Sequence, residues 1–189
     1  MKFDYKLTGV GWAEIEIEVD GRKYFSFPSY LSEPLIDLLE GLLSIIPGCV
    51  PEDELKSMIS FKLYQEPAVD KVTLELIDDL KLKIVIEEFE DESSGKGKIG
   101  FDATCNLLDF LNEVIESLEH LLKKHGFIGY KNTWYSQDFP ISSFLKLKYY
   151  LYHQVTYPTL KELNCVEIEL EKSDLKKEIQ LILGDNDKK

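Results

Sequence analysis

The chain is poor in the residues that announce chemistry. Its 189 residues include three cysteines, three histidines and two tryptophans. Cys49, Cys105 and Cys165 are odd in number, widely spaced and without a C-x-x-C. That pattern argues against a disulfide framework and against a zinc site, and it leaves buried free thiols in a reducing compartment as the expectation. No G-x-S-x-G is present, and no cysteine sits in a recognisable nucleophile signature. Bases are outnumbered, with 22 Lys and Arg against 35 Asp and Glu and a net charge of -13. The lysines form only short clusters, such as Lys123 and Lys124 or Lys146 and Lys148. A nucleic-acid partner is therefore disfavoured, while a basic protein would be steered in by the field.

Long apolar runs are missing too. The longest, Leu35 to Ile46, is interrupted by Asp37 and Glu40 and is too short for a bilayer. Met1-Lys2-Phe3-Asp4-Tyr5-Lys6 carries charges where a signal peptide needs an apolar core. No membrane association is expected, and the expected location is cytoplasmic.

Hydrophobic residues make up 44% of the chain and charged residues 30%, which places it with globular rather than disordered proteins. One domain is expected over residues 1–183, with a flexible tail over 184–189. Ala13, Ile15, Ile17 and Val19 alternate with Glu14, Glu16 and Glu18, the pattern of a half-buried strand. Arg22 to Phe27 follows across Asp20-Gly21. A three-residue loop, Val19-Asp20-Gly21, would pair Ile15 with Phe25 and Ala13 with Phe27, keeping the rings off the charged face and putting Gly21 at positive φ.

Ser32 and Pro34 open a helix with a leucine stripe at 35, 38, 39, 42 and 43. A three-stranded meander comes next. Its four-residue loop, Gln65 to Ala68, sets Phe61 opposite Val72 and Ile59 opposite Leu74. Glu90 to Gly100 reads as a mobile surface loop, because Gly95-Lys96-Gly97-Lys98 lacks Walker spacing. A long helix from Cys105 to about His125 ends at Gly126. An aromatic loop, Phe127 to Phe139, leads to a helix from about Pro140 to His153, with Asp138 as its cap. Val166, Ile168 and Leu170 alternate like a strand, and Leu175 to Leu183 fits either helix or strand.

The expected fold is α+β: an antiparallel sheet of at least five strands, packed on one face by two or three helices. The order is β-β-α-β-β-β-α-α plus a C-terminal extension.

Two surfaces stand out as partner-binding candidates. The row Glu14, Glu16 and Glu18 forms a negative strip suited to a basic partner. Tyr130, Trp134 and Tyr135 supply residue types enriched at binding hot spots. Glu113, Glu116 and His120 share a helical face, but their spacing is not that of a di-metal bundle and reads as a solvated face with a Glu116–His120 pair. No cofactor, catalytic residue or metal ligand is implied. A non-catalytic binding protein for a basic macromolecule is the leading reading, and a small-molecule-binding protein or enzyme with a pocket between sheet and helices is the alternative.

Gly11-Trp12-Ala13, Ser29-Tyr30-Leu31-Ser32 before Leu38-Leu39, and Gly129-Tyr130 with Trp134 and Phe139-Pro140 together resemble an uncharacterised family of bacterial proteins without an assigned activity. The resemblance covers residues from about Gly11 to Leu151 and implies a bacterial origin and a shared fold, with no catalytic residue. In size and acidity the chain is also similar to the immunity partners of secreted toxins.

Overall fold

A computed structural model describes residues 1–163, 166 and 168–184. Cys165 and the expected tail from 185 lie outside the described residues.

Among the described residues the fold is mixed α+β, built from antiparallel strands and four helices. The first sheet is the meander β1 (Lys2–Gly9), β2 (Trp12–Val19) and β3 (Arg22–Ser26). The strand β1, absent from the expected elements, shows the same apolar–charged alternation as β2. Phe3, Tyr5 and Leu7 point inward and are buried, whereas Lys2, Asp4 and Lys6 occupy the other face.

The β2–β3 register differs from the expected one. Asp20 and Gly21 form a two-residue turn, both at positive φ (51° and 76°), as the type I′ hairpin requires. Ile17 therefore pairs with Tyr24 and Ile15 with Ser26, while Glu16 pairs with Phe25. The inward positions go to Tyr24 and Ser26, both buried, and Phe25 and Phe27 face outward.

The second sheet holds β4 (Met58–Tyr64), β5 (Val69–Asp78), β6 (Lys81–Phe89) and β7 (Lys98–Asn106), in that order. Phe61 pairs with Val72 and Ile59 with Leu74, as the loop length predicts. The strand β7 takes residues assigned by pattern to the charged loop and to the start of the long helix. Phe101 and Ala103 face inward, and Cys105 pairs with Leu82. Among the described residues no single sheet of five strands forms, because the chain leaves β3 through Pro28 and α1 before β4 begins. The seven strands divide into three and four, and a separate hairpin joins β8 (Leu160–Leu163) to β9 (Glu169–Lys172).

Helix α1 (Pro34–Ile45) buries Leu35, Leu38, Leu39, Leu42 and Leu43. Fully buried leucines such as Leu39 and Leu42 contribute about 1.5–3 kcal/mol each. Its N-cap is Glu33 and not Ser32. The Ser32 hydroxyl is engaged elsewhere, donating to the Ser29 carbonyl and accepting from the Tyr64 amide, both at 3.2 Å. Asn106 caps α2 (Leu107–Trp134) through the amides of Leu108 and Asp109. Gly126, at φ 63°, breaks the helical backbone as expected. Helical turns then resume, so the stretch expected to be an aromatic loop is helical through Trp134. Pro140, not Asp138, caps α3 (Ile141–His153), and Asp174 caps α4 (Leu175–Leu183).

The inner faces of the two sheets enclose the core together with α1, α2 and α3, the last contributing Phe144, Leu145 and Leu147. A small apolar cavity of about 20 Å³ remains among Tyr5, Ile17, Tyr24, Leu38, Ile86 and Phe110. That volume suits about one water molecule and no larger ligand. Among the described residues no helix is long and apolar enough to cross a membrane.

Candidate functional site

The acidic row lies on the outer face of the first sheet, and the sheet supplies its cations. Lys2 and Lys23 both pair with Glu16, Lys23 also reaches Glu18 at 3.0 Å, and Lys6 lies 3.9 Å from Glu14. Glu16 is buried. Its carboxyl is held below the usual carboxylate range, chiefly by the hydrogen bond from Lys2 and then by that from Lys23, against the opposing effect of burial. The strip is thus a lattice of alternating charge and not a bare negative surface.

The three aromatic candidates are not brought together as a surface. Trp134 and Tyr130 are buried. Trp134 donates to Glu33, and Tyr130 packs edge-on against Phe139 with ring centroids 5.5 Å apart. Tyr135, just past the helix end, is 70% exposed. The motif set Gly11, Tyr30 and Trp134 does converge. The Gly11 amide donates to the Thr133 carbonyl at 2.8 Å, the Tyr30 amide donates to the Gly11 carbonyl at 2.9 Å, and a side chain at Gly11 would strike the Tyr30 ring. This node fastens β1–β2 to the end of α2 and to the approach to α1.

A groove opens at the end of the inter-sheet space and encloses about 720 Å³. It arises where the apolar faces of two strands end in carboxylates. On β5 the inward row Leu74, Val72 continues to Asp70, and on β6 the row Ile84, Ile86 continues to Glu88. The ladder places Asp70 directly opposite Glu88. Phe25, Phe27, Phe89 and Glu90 also line the groove, and Lys96 and Lys98 border it on the β7 side. Phe25 is 45% and Phe27 47% exposed.

The floor is fixed by hydrogen bonds between the sheets. Ser26 Oγ donates to Asp70 Oδ2 at 2.6 Å, and the Phe27 amide donates to Gln65 Oε1 at 2.8 Å. Asp70 is almost completely buried. Burial pushes its pKa up, and hydrogen bonds from Ser26 and Tyr24 only partly oppose this. Burial likewise raises the Tyr24 hydroxyl, reinforced by the charges of Asp70 and Glu88.

Glycine shapes the far wall. A Cβ at Gly97 would lie 2.7 Å from the Phe89 ring, and one at Gly100 would lie 2.5 Å from the Glu88 carboxylate. Gly97 therefore lets the Phe89 ring, and Gly100 the Glu88 carboxylate, lie close against this segment.

The thiols are not poised for nucleophilic work. Cys49 and Cys105 are free and half-buried, and burial pushes each pKa up to about 11. Glu116 accepts from Asn112 at 3.1 Å in place of the expected pairing with His120. Among the described residues no group of three His, Cys, Asp or Glu side chains is placed to hold a metal ion.

Asp70, Ser26 and Glu88 do not stand out in the sequence pattern. The signal is nevertheless there, because Asp70 falls two residues before Val72 and Glu88 two after Ile86, on faces that read as apolar. No protein-family model, curated protein or solved structure matches the chain.

Proposed function

We propose that this chain is a non-catalytic binding protein for a basic protein partner, and that the partner docks on the outer face of β2–β3 and the adjoining groove. The observation that carries this reading is the outward placement of Phe25 and Phe27. Two large rings stand on an otherwise charged face, between the glutamates of β2 and the carboxylates of the groove. Exposed aromatics on a charged rim are the composition of an interface hot spot. A departure from ordinary inside–outside patterning of this kind marks surfaces kept for binding.

The charge of -13 accelerates encounter with a cationic protein, and the exposed rings slow its departure. Neutralisation of a basic toxin in the cytoplasm is the immunity-type instance of this activity. The half-buried, protonated thiols of Cys49 and Cys105 suit a reducing compartment.

Site-specific photo-crosslinking tests the reading. Phe27 is replaced by benzoyl-phenylalanine in the cell of origin, with Val10 and Ile128, 73% and 79% exposed, as control positions. A discrete adduct with a basic protein from position 27 alone supports the proposal. Equal labelling from all three positions, or an acidic adduct, contradicts it.

A further inference from the structure

The carboxylates of the β2 row and those of the groove differ in their partners. Those of the β2 row are each satisfied by a lysine of the first sheet. Those of the groove are not. None of the ion pairs formed among the described residues involves Asp70, Glu88 or Glu90. Lys98 stands across from Glu88 in the β6–β7 ladder, yet it forms no such pair with it. The chain's single arginine, Arg22, is committed elsewhere, donating to the Asp102 carbonyl at 2.9 Å.

A carboxylate buried without a cation is costly to hold in its charged form, and a desolvated cation placed beside it recovers much of that cost. Here the buried Asp70 and the half-buried Glu88 line the groove together with Phe25, Phe27 and Phe89. Aromatic faces attract cations, and planar guanidinium stacks on them while remaining weakly hydrated. The groove volume of about 720 Å³ is ample for one long side chain.

We propose that this groove is a receptor for an arginine side chain, which inserts between the phenylalanine rings and brings its guanidinium to Asp70 and Glu88. The inference rests on the partner-binding reading above and names the group the partner presents. Lys96 and Lys98 repel the same cation from the β7 side and so confine it to the β3–β5 side. Asp70 keeps its bonds from Ser26 and Tyr24, and the guest takes the lone pairs that remain on the carboxylate.

The test is an amide-detected NMR titration of the full chain with N-acetyl-arginine methylamide and, in parallel, with its citrulline counterpart, which has the same shape and no charge. The arginine compound is expected to give saturable shifts centred on residues 24–27, 70 and 88. The citrulline compound should bind at least about tenfold more weakly, since its neutral ureido group lacks the Coulombic attraction of the guanidinium for the carboxylates. The pair Asp70→Asn and Glu88→Gln should lose about tenfold for arginine, with melting confirming that the fold survives. Should that variant fail to fold, Phe25→Ser with Phe27→Ser, both on the outer face, serves in its place with the same expected loss.

Absent or non-saturable shifts, shifts centred elsewhere, or equal affinity for citrulline would overturn the proposal. If the position-27 crosslink forms while arginine does not bind, the receptor inference falls and the partner reading stands. If arginine binds saturably and no specific crosslink forms, the groove is an arginine receptor and the partner reading falls.

Discussion

The indole Nε1 of Trp134 donates to Glu33 Oε2 across 2.9 Å, fastening the last turn of α2 to the residue that caps α1. The Ser136 hydroxyl donates to the other carboxylate oxygen, so both oxygens of Glu33 are occupied. Trp134 is fully buried. Trp134→Ala should therefore cost about 3–5 kcal/mol in denaturant unfolding. Loss of partner binding in this variant should follow the loss of fold. Unchanged stability with faster dissociation would instead make Trp134 a contact residue.

Ser26 and Asp70 join the two sheets at the floor of the groove. The bond from Ser26 is made to a group that is charged when ionised, and Ser26→Ala should cost about 1.5–3 kcal/mol at neutral pH. The raised pKa of Asp70 means that the folded chain holds this proton more tightly than the unfolded chain does. Its favourable contribution is complete below the ordinary aspartate value of about 3.9 and is lost as pH rises through the folded-state value. Asp70→Asn, which stays neutral and can still accept from Ser26, should melt higher than the parent at pH 7. The gain should vanish near pH 3. A variant less stable at pH 7 would contradict this account of the floor.

Glu16 titrates in the opposite sense. Its pKa is lowered, first by Lys2 and then by Lys23, so its contribution is present above the ordinary glutamate value of about 4.3 and is lost as pH falls through the folded-state value. Glu16→Gln should destabilise the chain at pH 7, and the two melting curves should converge in acid. Constant separation of the curves from pH 7 down to pH 3 would show that the lysines do not hold this charge.

Much of the fold is legible in the sequence because periodicity and loop length are local. The leucine stripe of α1 and the β4–β5 register, Phe61 on Val72, follow from spacing alone. The β2–β3 register departs from expectation for a physical reason. Hydrophobicity alone places both phenylalanines in the core and gives no weight to Tyr24 and Ser26, which the two-residue Asp20-Gly21 turn sends inward. β1 is legible in the same way as β2, since Phe3, Tyr5 and Leu7 alternate with Lys2, Asp4 and Lys6, whereas flanking glycines hide β7 although Phe101 faces inward. The groove depends on the register of β5 against β6, for only that pairing makes neighbours of Asp70 and Glu88. The Glu33–Trp134 bond spans 101 positions, and no local pattern reports a contact of that kind.

The central claim is that Phe25 and Phe27 anchor a basic partner. The decisive measurement is the dissociation rate of the crosslink-identified partner from the parent chain and from the Phe25→Ser, Phe27→Ser double variant, each beside its melting curve. The account predicts at least about tenfold faster dissociation, as for loss of a hot spot worth about 1.4 kcal/mol or more. Melting should be nearly unchanged, because the rings lie on the surface. Association should remain fast and salt-dependent, because the charges remain. A dissociation rate equal to that of the parent would contradict the claim.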